Sequence, residues 1–111
     1  MTTQELIDLL GLKALSTFEH REVNGVFLSD MLSDVMAGAK SGNIWITVQT
    51  HKNIVPAANL VDVSAIIITN GKNVPAETIE LASKHDIAIL WTESQTFDLV
   101  GRLYSLGLAT K

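Results

Sequence analysis

Apolar and polar positions follow two different periods along the chain, and each period predicts a different kind of element. Near the start, Thr2 followed by Glu5 forms a capping-box pattern ahead of apolar residues at helical spacing, which predicts a short helix. Two apolar runs, Leu12–Phe18 and Gly25–Leu28, then predict strands. The charged stretch 19–22 between them is typical of a solvated loop or a strand edge.

From residue 29 onward, helix-like and strand-like segments alternate more regularly. Asn70-Gly71 is a turn signal, and Pro56 is tolerated in the first turn of a helix. The predicted strands lie over 43–47, 65–68 and 87–91. A helix over 29–39 precedes the first of them, and a helix that begins at 52 or 53 and ends before Asp62 follows it. A helix with Pro75 at its first position follows the second strand, and a final helix capped by Ser94 follows the third.

The strand-like runs Ala65–Ile68 and Ile87–Trp91 have no polar face, which is typical of strands covered on both sides. Such strands, alternating with helices, predict a largely parallel sheet with right-handed crossovers. No clear helix separates the first two predicted strands, so we expect a mixed sheet. The predicted fold class is α/β, a three-layer α/β/α sandwich with a mixed, mostly parallel sheet of about five strands.

The chain has 111 residues, of which 47% are hydrophobic and 18% charged, a composition that excludes intrinsic disorder. We expect a single domain over 1–111, because this length supports one hydrophobic core but not two independent ones. The mean hydropathy of +0.27 indicates more apolar side chain than such a domain easily covers. We therefore expect a homodimer, with Trp45, Trp91, Met31 and Met36 as candidates for an exposed apolar patch.

The charge and the cysteine count restrict the partners. A net charge of −4 and a pI of about 5.2, without a cluster of Lys or Arg, predict no nucleic-acid partner. With no Cys and three dispersed His, the chain has no disulfide, iron–sulfur or cysteine zinc site. No apolar run approaches the roughly 18 residues of a membrane span, and the N-terminus lacks a signal-peptide pattern. We expect a cytoplasmic protein without a membrane partner.

The common catalytic and cofactor-binding motifs are missing from the sequence. A phosphate-binding loop needs Gly-x-x-x-x-Gly-Lys-[Ser/Thr], whereas Lys40-Ser41 is preceded by Ala39 where the motif requires glycine. Nucleophile-elbow, His-Glu-x-x-His and dinucleotide-fingerprint patterns do not occur either. Asp30 and Asp34 lie one helical turn apart, a spacing more typical of a solvated helix face than of a metal site. We expect no autonomous kinase activity, no catalytic residue, no metal and no cofactor.

The candidate site follows from the predicted topology. In open α/β sheets, ligands bind outside the carboxyl ends of the parallel strands, where helix N-termini present free N–H groups. The loops 47–51, 69–73 and 92–94 are rich in hydroxyl and amide groups and contain one His and one Lys, which suits an anionic or nucleotide-like ligand. The predicted ligand-binding residues are Thr47, Gln49, Thr50, His51, Asn53, Thr69, Asn70 and Gly71.

Two expectations and one alternative belong to this site. His51 lies between a strand end and a helix start, where the helix dipole favours a neutral imidazole that could contact a ligand. The backbone N–H groups of Asn70, of Gly71 and around Asn53 are expected to point into one pocket, with His51 and Thr69 at its wall. Alternatively, the same polar residues are helix N-caps and turn residues with a purely structural role.

Several segments resemble a known family, the DRTGG domain. The resemblance covers residues 29–106 and is carried by Gly42–Thr47, Asn53-Ile54-Val55, Ala65–Gly71 with Pro75, Ile87–Leu90 and Thr96-Phe97. The family is a small α/β module that resembles the N-terminal domain of HPr kinase/phosphorylase. It also occurs beside CBS domains and inside long bacterial phosphotransacetylases.

The chain departs from the residues that give the family its name. Thr50-His51 stands where the Asp-Arg pair would fall, and Thr69-Asn70-Gly71 stands where Thr-Gly-Gly would fall. Asn is the best non-glycine residue for a left-handed backbone, so we expect the turn to be kept. Loss of the Asp-Arg pair removes two charges and any ligand contact that used them. The resemblance implies a non-catalytic regulatory or ligand-sensing domain that is often dimeric.

Two functions from different classes stay open at this point. The first is a regulatory homodimer that binds a small anionic ligand, such as a nucleotide or a phosphorylated metabolite, or a protein partner. The alternative is a small enzyme or phosphate-handling protein that uses His51 and the Thr/Asn loops.

Overall fold

Five helices surround one five-stranded sheet in the computed structural model, which describes residues 1–110. The helices are α1 (Thr3–Leu10), α2 (Leu32–Gly38), α3 (Ile54–Val61), α4 (Ala76–Lys84) and α5 (Thr96–Ser105). The strands are β1 (Lys13–Ala14), β2 (Gly25–Leu28), β3 (Asn43–Thr47), β4 (Ala65–Ile68) and β5 (Ile89–Trp91). None of the helices in this part of the chain is both long enough and apolar enough to cross a membrane.

The sheet is mixed, as the sequence predicts. Its strand order is β1-β5-β4-β3-β2, with β2 to β5 parallel and β1 antiparallel to β5. Each step from β2 to β5 therefore moves the chain to the adjacent strand in the same direction. A helix makes each of these steps, which is the connection that parallel neighbours require.

The two faces of the sheet carry separate cores, and this confirms the three-layer sandwich. Side chains alternate along β3, where Ile44 and Ile46 join the core under α1 and α5 while Trp45 joins the core under α2, α3 and α4. This arrangement explains why the strand segments have no polar face. Trp45 is 0% exposed, so its prediction as part of an exposed patch is wrong, whereas Met31 and Met36 are exposed.

Most predicted helix ends are close to the observed ones. Thr2 and Glu5 form the expected capping box on α1. Pro75 occupies the cap position of α4 rather than its first turn. Ser94 does not cap α5, because Gln95 holds the cap position without a side-chain bond. The first free amide of α5 is instead satisfied from the loop after β4, as described below.

β1 is much shorter than the predicted strand 12–18, and Ser16 explains why. Its hydroxyl donates to the Ile87 carbonyl oxygen (2.7 Å) and accepts from the Ile89 N–H (2.8 Å). The Ser16 side chain thus makes bonds that a continued backbone ladder would otherwise make. The charged stretch 19–22 is also not simply solvated, because Arg21 donates to the Val63 carbonyl oxygen (2.9 Å).

Candidate functional site

The carboxyl ends of β2 to β5 meet at one edge of the sheet, because these strands are parallel. The connections after β2, β3 and β4 lead to the face covered by α2, α3 and α4, while the connection after β5 leads to α5 on the opposite face. β4 and β5 are therefore neighbours whose connections diverge. Such a switch point is where open α/β sheets bind ligands.

At the β2–β3 end of this edge, Asp30 organises the loop after β3. Its Oδ1 accepts from the Thr47 hydroxyl (2.8 Å) and from the Val48 N–H (2.9 Å). The Gln49 side-chain amide donates to the Asp30 carbonyl oxygen (3.2 Å). Thr47 and Gln49 therefore hold the loop in place. Asp30 precedes α2 and is not on its solvated face, which corrects the sequence-based interpretation.

Thr50, His51 and Asn53 lead into α3, and they mainly shape its start. The Thr50 carbonyl oxygen accepts from the Thr78 hydroxyl (2.8 Å), which joins this loop to α4. His51 is exposed, and its Nδ1 accepts from the Asn53 N–H (3.1 Å). Nδ1 is the acceptor in this bond, which leaves Nε2 free to face solvent or a ligand. The side chain that bonds at the start of α3 is thus that of His51, not that of Asn53.

The loop after β4 turns sharply at Asn70-Gly71. Both residues have left-handed backbones (φ 63 and 62), so the predicted turn is present. The Asn70 N–H donates to the Ser94 carbonyl oxygen (2.9 Å), and the Gly71 N–H donates to the Thr92 carbonyl oxygen (3.0 Å). The expectation that these two amides point into a ligand pocket is therefore wrong. They join the loops after β4 and β5 instead.

Side chains complete this junction between the loop after β4 and α5. The Thr96 N–H donates to Asn70 Oδ1 (3.1 Å), so Asn70 satisfies the amide at the first residue of α5. The hydroxyls of Thr69 and Thr96 also bond to each other (2.6 Å). Thr69 and Asn70 therefore fasten the first turn of α5 to the loop after β4.

The predicted site residues consequently form three groups rather than one pocket. Thr47 and Gln49 lie with Asp30, and Thr69, Asn70 and Gly71 lie against the start of α5. The third group, at the start of α3, is Thr50, His51 and Asn53. The first two groups touch through the backbone, where the Thr69 N–H donates to the Thr47 carbonyl oxygen (3.2 Å). Thr47, Asn70 and Gly71 make turn or cap contacts of the kind that the alternative anticipated, whereas the Asn53 side chain makes no cap bond.

A cavity of about 250 Å³ opens beside Gly71, on the α4 side of the sheet, and we call it the edge cavity. It is bounded by β1, by the end of β5, by the loop after β4 and by α4. Its lining residues are Lys13, Leu15, Gly71, Lys72, Asn73, Val74, Ile79 and Trp91. Gly71 is the member of the predicted set that lines it.

The edge cavity combines positive charge with an aromatic surface. Lys13 and Lys72 are exposed at its rim, and neither forms an ion pair with any residue in 1–110. The partly buried Trp91 indole donates from Nε1 to the Lys72 carbonyl oxygen (2.8 Å), which fixes the ring against the loop. The backbone N–H groups of residues 72–74 donate to no group in the described part of the chain. These features suit an anion that carries a flat apolar group.

Lys13 and Trp91 are important to this cavity, and sequence reasoning missed them for different reasons. Lys13 reaches the cavity because β1 pairs with β5, where Lys13 lies opposite Trp91. That pairing joins distant segments and has no local signal. Trp91 stands directly before a predicted site loop, and its position at the carboxyl end of a strand was a usable signal.

Two comparisons with known proteins bear on this architecture. Residues 5–106 match the family model of the DRTGG domain. A crystal structure of the CBS and DRTGG domains of the regulatory region of Clostridium perfringens pyrophosphatase, in complex with the activator diadenosine tetraphosphate, has a similar fold with a TM-score of 0.71 and 23% identity. The match covers 97% of this chain and 47% of that chain. No curated protein sequence matches the chain.

The family match includes most of α1 and all of β1, and so begins earlier than the resemblance over 29–106 suggested. The match spans almost all of the described residues, and the similar structure confirms the α/β fold. The chain therefore belongs to the DRTGG domain family.

Proposed function

We propose that this chain is a non-catalytic regulatory domain that acts in the cytoplasm as a homodimer and senses a small nucleotide-like anion at the carboxyl edge of its sheet. Membership of the DRTGG family supports the regulatory role. The similar Clostridium perfringens structure is a regulatory region in complex with an activator, diadenosine tetraphosphate. That compound combines aromatic bases with a polyphosphate, and we propose the same ligand class here.

The observation that carries this proposal is the edge cavity. The protein has a net charge of −4, yet Lys13 and Lys72 stand together at one cavity without carboxylate partners in residues 1–110. Two unpaired ammonium groups attract a phosphate. The unpaired backbone amides of residues 72–74 provide further donors for the same anion.

The indole of Trp91 makes a nucleotide a better candidate than inorganic phosphate. Its apolar ring offers a surface on which a nucleobase can stack. The volume of about 250 Å³ is slightly below the common range of ligand pockets, which is roughly 300–1,000 Å³. We therefore infer that the cavity holds one part of the ligand while the rest lies along the open carboxyl edge.

The loop that lines the cavity also gives the domain a route for a signal. Lys72 lies two residues after Asn70 in the chain, and Asn70 is bonded to Thr96 at the start of α5. A ligand that shifts this loop changes the bonds that fasten α5. The proposed regulatory output is therefore a displacement of α5 relative to the sheet.

The enzymatic alternative depended on His51, and the geometry gives it no support. His51 Nδ1 is occupied by the Asn53 N–H, and no carboxylate in residues 1–110 bonds to the ring to orient it as a general base. The side chains of Thr47, Thr69 and Asn70 are engaged in loop and cap bonds. We propose that His51 has a structural role.

A thermal-shift series tests the proposed function. We expect AMP, ADP or ATP to raise the melting temperature of the wild type in a saturable way, with a smaller effect of inorganic phosphate. Lys13→Gln and Lys72→Gln should each reduce that shift. Lys40→Gln is the matched control, because Lys40 precedes β3 and so lies at the amino-terminal ends of the parallel strands, opposite the carboxyl edge.

Two results would contradict the proposal. One is the absence of any shift across the nucleotide series in the wild type. The other is an equal shift in the Lys13→Gln, Lys72→Gln and Lys40→Gln variants. A turnover assay on each nucleotide that binds then separates sensing from catalysis, and we expect the nucleotide to be recovered unchanged.

A further inference from the structure

Two large aromatic side chains on the outer face of α5 are exposed to solvent. Phe97 is 86% exposed and Tyr104 is 74% exposed. They are seven residues apart, which is about two helical turns, so they lie on one stripe of the helix. Exposed aromatics that share one face are typical of an interaction surface rather than of a free surface.

The surroundings extend this apolar stripe. A groove of about 710 Å³ separates α5 from the C-terminal end of α1, and its walls include Leu9 and Leu106. Leu9 is 53% exposed. The groove is wide enough to admit an aromatic side chain from another molecule.

Gly101 lies between the two aromatics on the same stripe, and no residue within 1–110 requires a glycine there. A Cβ at Gly101 would meet no atom within 4 Å. Glycine in a helix interior is unfavourable, and one accepted reason for it is the close approach of another backbone. The stripe thus combines two exposed aromatics with a point at which a second helix can come near.

We propose that a second copy of this chain covers this face, with α5 packed antiparallel against α5 of the other copy. This inference rests on the homodimer in the proposed function and specifies its interface. A twofold axis between Val100 and Gly101 places Phe97 of each copy opposite Tyr104 of the other. The same surface of both copies then forms the contact and is complementary to itself, as an isologous interface requires.

Charge complementarity selects this occupant and this direction. Asp98 forms no ion pair within residues 1–110, and Arg102 meets no carboxylate there but donates to the carbonyl oxygen of Leu9 (3.2 Å). In the antiparallel pair, Asp98 of one copy and Arg102 of the other lie on the same side of the interface. They are offset by about 1.5 Å along the helix axis. In a parallel pair the twofold axis would run along the helices and place Asp98 of one copy and Arg102 of the other on opposite sides of the interface, so the two charges would not meet.

The oligomeric state of designed variants tests the proposal. We expect light scattering at tens of micromolar to give twice the chain mass of 12.0 kDa for the wild type. Gly101→Gln should be monomeric and still folded, because glutamine suits a helix and has open space in the single chain. Leu60→Gln is the control, because Leu60 is 74% exposed on α3, across the sheet from α5, and this variant should remain a dimer.

A charge exchange tests the pairing itself. Asp98→Arg should be monomeric, and the double variant Asp98→Arg/Arg102→Asp should dimerise again because the exchange restores opposite charges. Circular dichroism verifies that each variant is folded. A wild type that is monomeric would overturn both the interface and the proposed homodimer. A dimer that persists in Gly101→Gln and Asp98→Arg, or a folded double variant that stays monomeric, would overturn the interface alone.

Discussion

Asp62 connects three segments at the amino end of the sheet. It ends α3 in a left-handed conformation (φ 67), and its carboxylate pairs with Arg21 (3.0 Å) and accepts from the Ser41 hydroxyl. The hydrogen bond from Ser41 lowers the pKa of this carboxyl most, and the hydrogen bond and charge of Arg21 lower it further, while burial acts in the opposite direction. The charged form is therefore favoured in the folded protein.

This lowered pKa gives stability a defined pH dependence. The contribution of Asp62 is complete above its unfolded pKa, near pH 4, and is lost as pH falls through the lower folded pKa. Asp62→Asn tolerates the left-handed backbone, so it removes chiefly the charge. We expect this variant to be less stable than the wild type at pH 7 by at most about 1 kcal/mol, because the pair is largely exposed.

Urea unfolding at pH 7 and at pH 3 measures this effect. The difference between wild type and Asp62→Asn should shrink at the lower pH. In an Arg21→Gln background it should also be smaller at pH 7. A difference that stays constant between the two pH values would contradict the assigned role of the carboxylate charge.

The sequence predicts backbone conformation at single residues better than it predicts side-chain bonds. The left-handed turn at Asn70-Gly71 follows from the residue types and is present. The bond between His51 Nδ1 and the Asn53 N–H depends on a side-chain orientation that no local pattern specifies. Asp30 was misassigned for the same reason, since it lies in the loop after β2 while its partner Thr47 is at the end of β3.

At the scale of elements, Asn70 connects the loop after β4 to α5. Its Oδ1 accepts the Thr96 N–H, and its own backbone is left-handed. Asn70→Asp keeps the side-chain acceptor and tolerates the left-handed backbone. Asn70→Ala loses the acceptor and is strained in that backbone conformation. We expect a loss of about 1–3 kcal/mol in the free energy of unfolding for Asn70→Ala and under about 0.5 kcal/mol for Asn70→Asp.

Denaturant unfolding of the two variants checks this role. Equal destabilisation by alanine and aspartate would mean that the bond to Thr96 does not support α5. The same bond is the first step of the proposed signal, so Asn70→Ala should also weaken the effect of a bound nucleotide on α5.

Element types followed from periodicity, while some boundaries did not. β3 and β4 are observed over the predicted residues, because both segments are rich in β-branched residues, which favour strands. β1 is far shorter than predicted, since Ser16 replaces backbone pairing with side-chain bonds. Helix caps supplied from another loop, as at α5, are also invisible to a local pattern.

At the scale of the whole molecule, the edge cavity lies next to an acidic residue. The Glu93 Cγ is 3.7 Å from the position that a Cβ at Gly71 would take. A carboxylate near the cavity opposes an anionic ligand, so Glu93→Gln should bind a nucleotide more tightly, by roughly two- to fivefold. Calorimetric titration with ADP measures this, with Glu19→Gln as a control. Weaker binding in Glu93→Gln would contradict the proposed anion site.

The layered architecture could be predicted from the sequence, but the position of the cavity could not. Alternating helices and strands with two apolar faces determine the sandwich. The cavity depends on the antiparallel pairing of Lys13 with Trp91 and on the position of the loop after β4 above that pair. Both are contacts between distant parts of the chain.

The two tryptophans provide the most direct test of the central claim, which is nucleotide sensing at the edge cavity. Trp91 lines the cavity, while Trp45 is fully buried under α2, α3 and α4. Their indole N–H groups give separate signals in a proton–nitrogen correlation spectrum. Titration with ADP should shift the Trp91 indole signal and the amide signals of residues 72–74 in a saturable way, while the Trp45 indole signal stays in place. A spectrum that does not change, or shifts confined to regions away from Trp91, would contradict the account.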